Sequence, residues 1–318
     1  MATALSGPAI SDIELRLLRV FRAVVDRGGL SAAQVQLGLG LATISKHLSD
    51  LELRLGMRLC ARGHEKFRLT EQGEVVYAAT LELFASIEHL RQQVGSARQE
   101  MIADITLGMA DGIVTDTKPP VVRAIAELRR LAPRVTLRIV VSSPDDIEVG
   151  LLNGRLTLGV IPQYQQLPGL EYTPLYEETS DLYCGDSHPL FRRADRTIGP
   201  DELASQAYVG RGYVESPTKV VVSQGLTQAA IAWQVEGVAL LILSGAYIGF
   251  LPEHYAAEWC SAGRMRALLG GELRYTTTFC LARRRSLKLT RPVAFVIDLM
   301  SGGAAAKPAR IAAGRKAS

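Results

Sequence analysis

The sequence predicts a small helical head with a short β ribbon, a long connecting helix, and a larger α/β body. Three observations predict it. Residues 28 to 73 read as helix, glycine-bearing turn, helix and basic ribbon. Proline is absent from residue 71 until Pro119, and apolar residues in this stretch step by threes and fours. From Ile105 onward, runs of β-branched residues alternate with amphipathic stretches, the pattern of strand–helix repeats.

In the head, Gly28 and Gly29 lead into Leu30 to Leu37, with Ser31 placed to cap a helix. Gly38-Leu39-Gly40 breaks that helix after about two turns. The chain restarts at Leu41, and Leu41, Ile44, Leu48, Leu51 and Leu55 recur at helical spacing, which turns them inward. Thr43, Ser45, Lys46, His47 and Ser49 are left on the outer face. Short hydroxyls, a lysine and a histidine on one helix face suit a DNA major groove. A three-helix bundle that binds protein has the same apolar period. A dinucleotide loop at Gly38-Leu39-Gly40-Leu41-Ala42-Thr43 is rejected, because no strand precedes it and the third glycine is missing.

These residues, with Leu18 and Phe21 before them and Leu59, Arg62, Leu69-Thr70 and Gly73 after, resemble the winged helix-turn-helix of LysR-type transcriptional regulators. The resemblance departs at Leu41, where the family usually has Gln, and at Cys60, where it often has Phe. Leu41 offers no hydrogen bond to a base. The DNA-contacting residues expected are Ser31, Ala32, Thr43, Ser45, Lys46 and His47 on the helices, with Arg62, Lys66 and Arg68 on the wing. The resemblance implies domain limits of 1–70 for the winged helix-turn-helix and 71–103 for a linker helix. It implies an effector domain over 104–300 and a disordered basic tail over 301–318.

Charge is distributed as this predicts. The net charge of +4 divides into +4 over residues 1–70, −4 over 71–300 and +4 over 301–318. A basic head on an acidic body fits a nucleic-acid module joined to one that binds something else. The four cysteines, Cys60, Cys184, Cys260 and Cys280, are too far apart for a zinc motif or a disulfide framework, so neither metal nor cofactor is expected. No signal peptide is evident, and Val235 to Pro252 is too short and broken to span a membrane. A cytoplasmic protein follows. No nucleophile elbow, complete phosphate loop or His-Glu-x-x-His appears, so no enzyme is expected.

In the connecting helix, Leu83, Ile87, Leu90, Val94, Ala97 and Met101 form a heptad seam, which wants a partner helix. A homodimer or homotetramer through residues 71–103 and the effector domains is expected. In the body, Ile105–Met109, Val135–Val141 and Leu156–Ile161 read as strands, Pro119–Leu131 and Ile147–Leu152 as helices, a doubly wound parallel arrangement. The resemblance extends here to a two-subdomain, periplasmic-binding-protein-like effector domain. It implies subdomain I over about 104–163 and 272–300, and subdomain II over about 168–268. Asp186-Ser187-His188-Pro189-Leu190 and Ile248-Gly249-Phe250-Leu251-Pro252 agree with it.

The effector itself is an unknown small molecule. Its expected contacts are Ala110, Asp111, Gly112, Ser142, Ser143, Arg211, Gly245 and Tyr247. Small Ala110 and Gly112 around an acid do not favour a simple carboxylate; Asp111 and Asp116 instead attract an amine or cap the next helix. Arg211 is suited to an anion or to a salt bridge. The alternative function is a small-molecule-binding module that does not read DNA sequence.

Overall fold

A computed structural model describes residues 12–61, 67–97, 101–117, 119–213 and 224–302. The contacts divide the chain into two compact units, 1–89 and 90–318. The boundary falls inside the long helix. Arg62, Lys66 and nearly all of the basic tail lie outside the described residues.

The first unit holds α1 (Asp12–Asp26), α2 (Leu30–Leu37), α3 (Leu41–Leu55) and the start of α4 (Glu71–Ala97). Phe21, Val24, Ala33, Ile44, Leu51 and Leu59 are buried, which is why three short helices suffice. The turns need glycine: Gly38 and Gly56 close α2 and α3 in the left-handed conformation. The ribbon is present as a narrow hairpin, with Cys60 bridged to Leu69 and the Thr70 amide donating to the Leu59 carbonyl at 3.0 Å. Glu52, on α3, pins it by accepting from the amides of Leu59 and Cys60 at 2.8 and 3.1 Å. Thr70 caps α4, its hydroxyl accepting from the Gly73 amide at 2.9 Å.

Three expectations are corrected. Ser31 is not the cap of α2; Gly29 stands there and no side chain caps the helix. Leu41 is 46% exposed, because the first residue of α3 overhangs the core that Ile44 enters. Met101 lies beyond α4 and packs against the core of the second unit rather than extending the seam.

The second unit is built on one mixed sheet in the order β2-β1-β3-β9-β4-β7-β5-β6, with β8 added on β4. Its strands are β1 (Ala103–Met109), β2 (Val135–Val141), β3 (Leu158–Pro162), β4 (Leu170–Gly185), β5 (Ala207–Arg211), β6 (Thr227–Ala232), β7 (Ile248–Pro252), β8 (Met265–Ala267) and β9 (Tyr275–Arg284). β1, β2 and β3 are parallel, as the strand–helix alternation predicts, and so are β5, β6 and β7. The two long strands β4 and β9 pair antiparallel from Leu170↔Arg284 to Ser180↔Tyr275 and join the two parallel groups.

One core lies under α5 (Val121–Leu131) and α10 (Arg291–Met300) on the β1–β3 side. Others lie around α7 (Pro200–Ala204), α8 (Val235–Leu243) and α9 (Glu253–Ser261) on the β5–β8 side. A further core under α6 (Pro144–Leu152) backs β3. With separate cores on either side of two shared strands, the groove between them is where polar groups collect.

Candidate functional site

On the head, Thr43, Ser45 and Lys46 are exposed within about one turn near the start of α3, and Ser31 and Ala32 are exposed in the first turn of α2. Neither helix has a side-chain cap at its start. Uncapped first-turn amides carry the positive end of the helix dipole and suit phosphate oxygens. His47 is half-buried, and its Nδ1 is buried without a hydrogen-bond partner among the described residues. Arg68 is exposed on the returning strand of the wing, and Arg58 stands before it on the same ribbon. Among the described residues this face carries Lys46, Arg58 and Arg68 beside short hydroxyls, with Leu41 as an exposed apolar side chain at the start of α3.

In the second unit the groove is tied across by one carboxylate. Asp111 sits in the loop after β1. Its Oδ1 accepts from Arg211 Nη2 at 2.6 Å, and Arg211 is the last residue of β5. Its Oδ2 accepts from the Val235 amide, the first residue of α8. Gln234 offers no side-chain cap there, so Asp111 caps α8 from across the groove. Arg211 also donates to the Tyr213 hydroxyl and lies over that ring at 4.8 Å. Burial pushes the guanidinium pKa down, but Tyr213 and Asp111 outweigh it and raise it, so the charge is held. Arg211 Nε is buried without a partner among the described residues.

Behind this tie lies a small chamber of about 40 Å³, with Tyr164, Tyr213, Tyr275, Phe250 and Phe279 among its walls and Glu178 at its side. Tyr164 and Tyr213 pack with ring centroids 6.1 Å apart. Burial raises the pKa of Tyr164 well above normal and that of Tyr213 to about 12, so both hydroxyls remain protonated donors. Beyond Glu178 an adjoining hollow of about 260 Å³ is lined by Asp116, Glu177, Thr179, Glu253 and His254. There His254 Nε2 lies 3.0 Å from Glu178 and 3.9 Å from Asp116, and its Nδ1 is 2.8 Å from the Thr115 hydroxyl. Asp116 does not cap α5, whose cap position is Pro120.

Of the expected effector contacts, Ala110, Asp111 and Arg211 line the chamber. Gly112 is close by, in the turn packed against Val235. Ser142, Ser143, Gly245 and Tyr247 do not line it. Ser143 caps α6, accepting from the Asp146 amide at 3.2 Å, and both serine hydroxyls donate to the Asp146 carboxylate. Gly245 turns the chain against Ser187 and His188, and Tyr247 packs beside the α8 core. His188 is structural, with Nδ1 accepting from the Leu190 amide at 3.2 Å. Sequence reasoning missed Glu178, Tyr164, Tyr213 and Tyr275.

All four cysteines are free. Burial, with the Glu52 charge second, pushes Cys60 up to about 12, and burial raises Cys184 and Cys280 to about 11 and Cys260 above its ordinary value. These are protonated thiols, not reactive thiolates. Among the described residues no His, Cys, Asp and Glu cluster suits a metal ion, and no helix is long and apolar enough to cross a membrane.

Residues 15–74 match the model of the bacterial regulatory helix-turn-helix protein, lysR family, and residues 104–305 that of the LysR substrate binding domain. The HTH-type transcriptional activator BauR of Pseudomonas aeruginosa is 41% identical over 276 residues, which cover 87% of this chain and 90% of BauR. The SDS degradation transcriptional activation protein of a Pseudomonas strain is 26% identical over 80% of this chain and 84% of its own length. Among solved structures, a full-length OxyR variant from Pseudomonas aeruginosa aligns with a TM-score of 0.61 at 19% identity, over 93% of this chain and 95% of that one. Full-length CbnR complexed with its target DNA aligns with a TM-score of 0.59 at 18% identity, over 91% and 99%. With both modules matched in order, the chain belongs to the LysR family: it is a DNA-binding transcriptional regulator with an effector-binding domain.

Proposed function

We propose that this regulator reads its operator through Thr43, Ser45, Lys46 and His47 on α3, with Ser31, Ala32 and Arg68 holding phosphate, and that a small molecule in the chamber behind Asp111 sets its activity. The observation that carries the reading is the Asp111 tie, which joins the loop after β1 to both β5 and α8. A ligand that binds the tied and untied grooves with different affinity shifts their populations. That shift changes the spacing or angle of DNA heads in an oligomer. The exposed seam residues Leu90 and Val94, 63% and 48% accessible, support association through the long helix. Activation follows the name of BauR. A cytoplasmic location follows from work on the chromosome, and a regulatory rather than catalytic role follows from the naming of its relatives.

The test is selection of fragmented genomic DNA by the purified protein at moderate salt, followed by sequencing. A near-palindrome enriched beside particular promoters supports the reading; uniform recovery opposes it. Lys46→Ala is expected to cost about 1–3 kcal/mol at the preferred site. Arg68→Ala is expected to weaken all sequences alike and to lower the salt dependence by about one phosphate contact. Loss of sequence preference from Arg68→Ala and not from Lys46→Ala reverses the assignment.

A further inference from the structure

Glu178 is the wall shared by the aromatic chamber and the acidic hollow. Around the two spaces stand the carboxylates of Asp111, Asp116, Glu177, Glu178 and Glu253. The cations facing them are already engaged. Arg211 is held by Asp111, and Arg274 donates to Glu253 and also to Asp181 at 2.9 Å. His254 bridges Glu178 and Asp116 and remains the one weak base of the hollow among the described residues. A charged visitor therefore meets an excess of negative charge, which attracts a cation and repels a simple carboxylate.

The walls narrow the cation further. Tyr164, Tyr213 and Tyr275 present ring surface and protonated hydroxyls beside Glu178. Aromatic faces beside the Glu178 carboxylate favour an organic ammonium, which gains from the ring quadrupole as well as from the ion pair. The volume of about 40 Å³ admits only a small group. Arg211 lines the same chamber and offers its guanidinium to an acceptor on the same molecule.

We propose that the effector carries an ammonium group, held by Glu178 against the rings of Tyr164, Tyr213 and Tyr275. The proposal rests on the reading of this groove as the effector site. The ammonium belongs to a simple amine or to an amino acid. In the second case the carboxylate meets Arg211, and Asp111 competes with it for the guanidinium.

The test is calorimetric titration of the full chain with n-propylamine, 4-aminobutyrate and propionate, each to about 10 mM. Binding of propylamine or aminobutyrate, with propionate silent, is the expected result. Binding of aminobutyrate alone assigns the amino acid class, and binding of propylamine assigns the simple amine. Glu178→Gln keeps the shape and removes the charge, and is expected to weaken the bound ammonium probe at least about tenfold. Tyr164→Leu removes one ring and is expected to weaken it as well. A cooperative unfolding transition in each variant shows that it folds. The proposal is overturned if neither ammonium probe binds, if propionate binds in their place, or if both folded variants bind as wild type does. Genomic DNA selection without any ligand separates the two failures. Sequence enrichment with silent ammonium probes refutes only the ligand class, whereas uniform recovery removes the regulatory reading beneath it.

Discussion

Removing the Asp111 carboxylate tests the tie across the groove most directly. In Asp111→Ala two bonds vanish together. One is the 2.6 Å charge-assisted bond from Arg211, formed between side chains 17% and 15% exposed. The other is the bond from the Val235 amide that starts α8. Stripping one partner from a buried pair costs about 3–5 kcal/mol, reduced here to about 2–3 because both side chains keep some solvent exposure. An unsatisfied helix-start amide adds about 1 kcal/mol, so the total is about 3–4 kcal/mol. Asp111→Asn retains an acceptor for Val235 and loses the charge, for about half that cost. Both tryptophans, Trp233 and Trp259, lie in the second unit, so their fluorescence during urea unfolding reports that unit alone. The expected order of stability is wild type, then Asn, then Ala, with a fall in Tm of roughly 8 °C for Ala. A change below about 0.5 kcal/mol in Asp111→Ala shows that the tie contributes nothing to this unit and refutes the reasoning.

Three further outcomes follow from other sites. Glu148 is buried and its pKa is raised by burial, despite the bond from Tyr172 at 2.6 Å. Its folded state binds the proton more tightly than its unfolded state. The resulting stability is therefore present below the ordinary value of 4.5 and lost as pH rises through the folded pKa. Glu148→Gln should gain on wild type as pH rises from 4 to 7, and parallel urea curves across that range would disprove it. Gly73→Ala would set a Cβ 2.0 Å from the Leu59 carbonyl, so the head should lose about 1–3 kcal/mol, visible as faster amide exchange in α1 and α3. Unchanged exchange would contradict that close approach. The double change of Leu90 and Val94 to Glu should reduce the sedimenting mass toward one chain, and an unaltered mass would place the oligomer interface elsewhere.

The helices of the head are legible in sequence because burial there follows the 3.6-residue period; Ile44, Leu48 and Leu51 are all buried. Leu41 departs because periodicity assigns a face but not where the core ends. Ser31 was read as a cap, yet Gly29, at φ 152, makes the turn one residue before the helix begins. In the effector domain, Asp111 and Arg211 are visible because each stands at the carboxyl end of a strand of a parallel group, where loops converge on ligands. Glu178 and Tyr275 lie inside β4 and β9, and Tyr164 just beyond β3, where strand alternation does not say which face opens on a space. Ser142 and Ser143 lie outside the chamber's lining, and Ser143 and Asp146 have the spacing of a capping pair as well as the look of a pocket.

Glu52 gives the head a fixed gauge. Its carboxylate belongs to the helix offered to the groove, yet it holds the two amides on which the wing hinges. The distance between the exposed face of α3 and the ribbon that carries Arg68 is thereby set within the protein, before any DNA is met. On the proposed reading of α3, a change of preferred operator comes through exchange of exposed side chains such as Thr43, Ser45 or Leu41, while the Glu52 bonds to the ribbon stay constant.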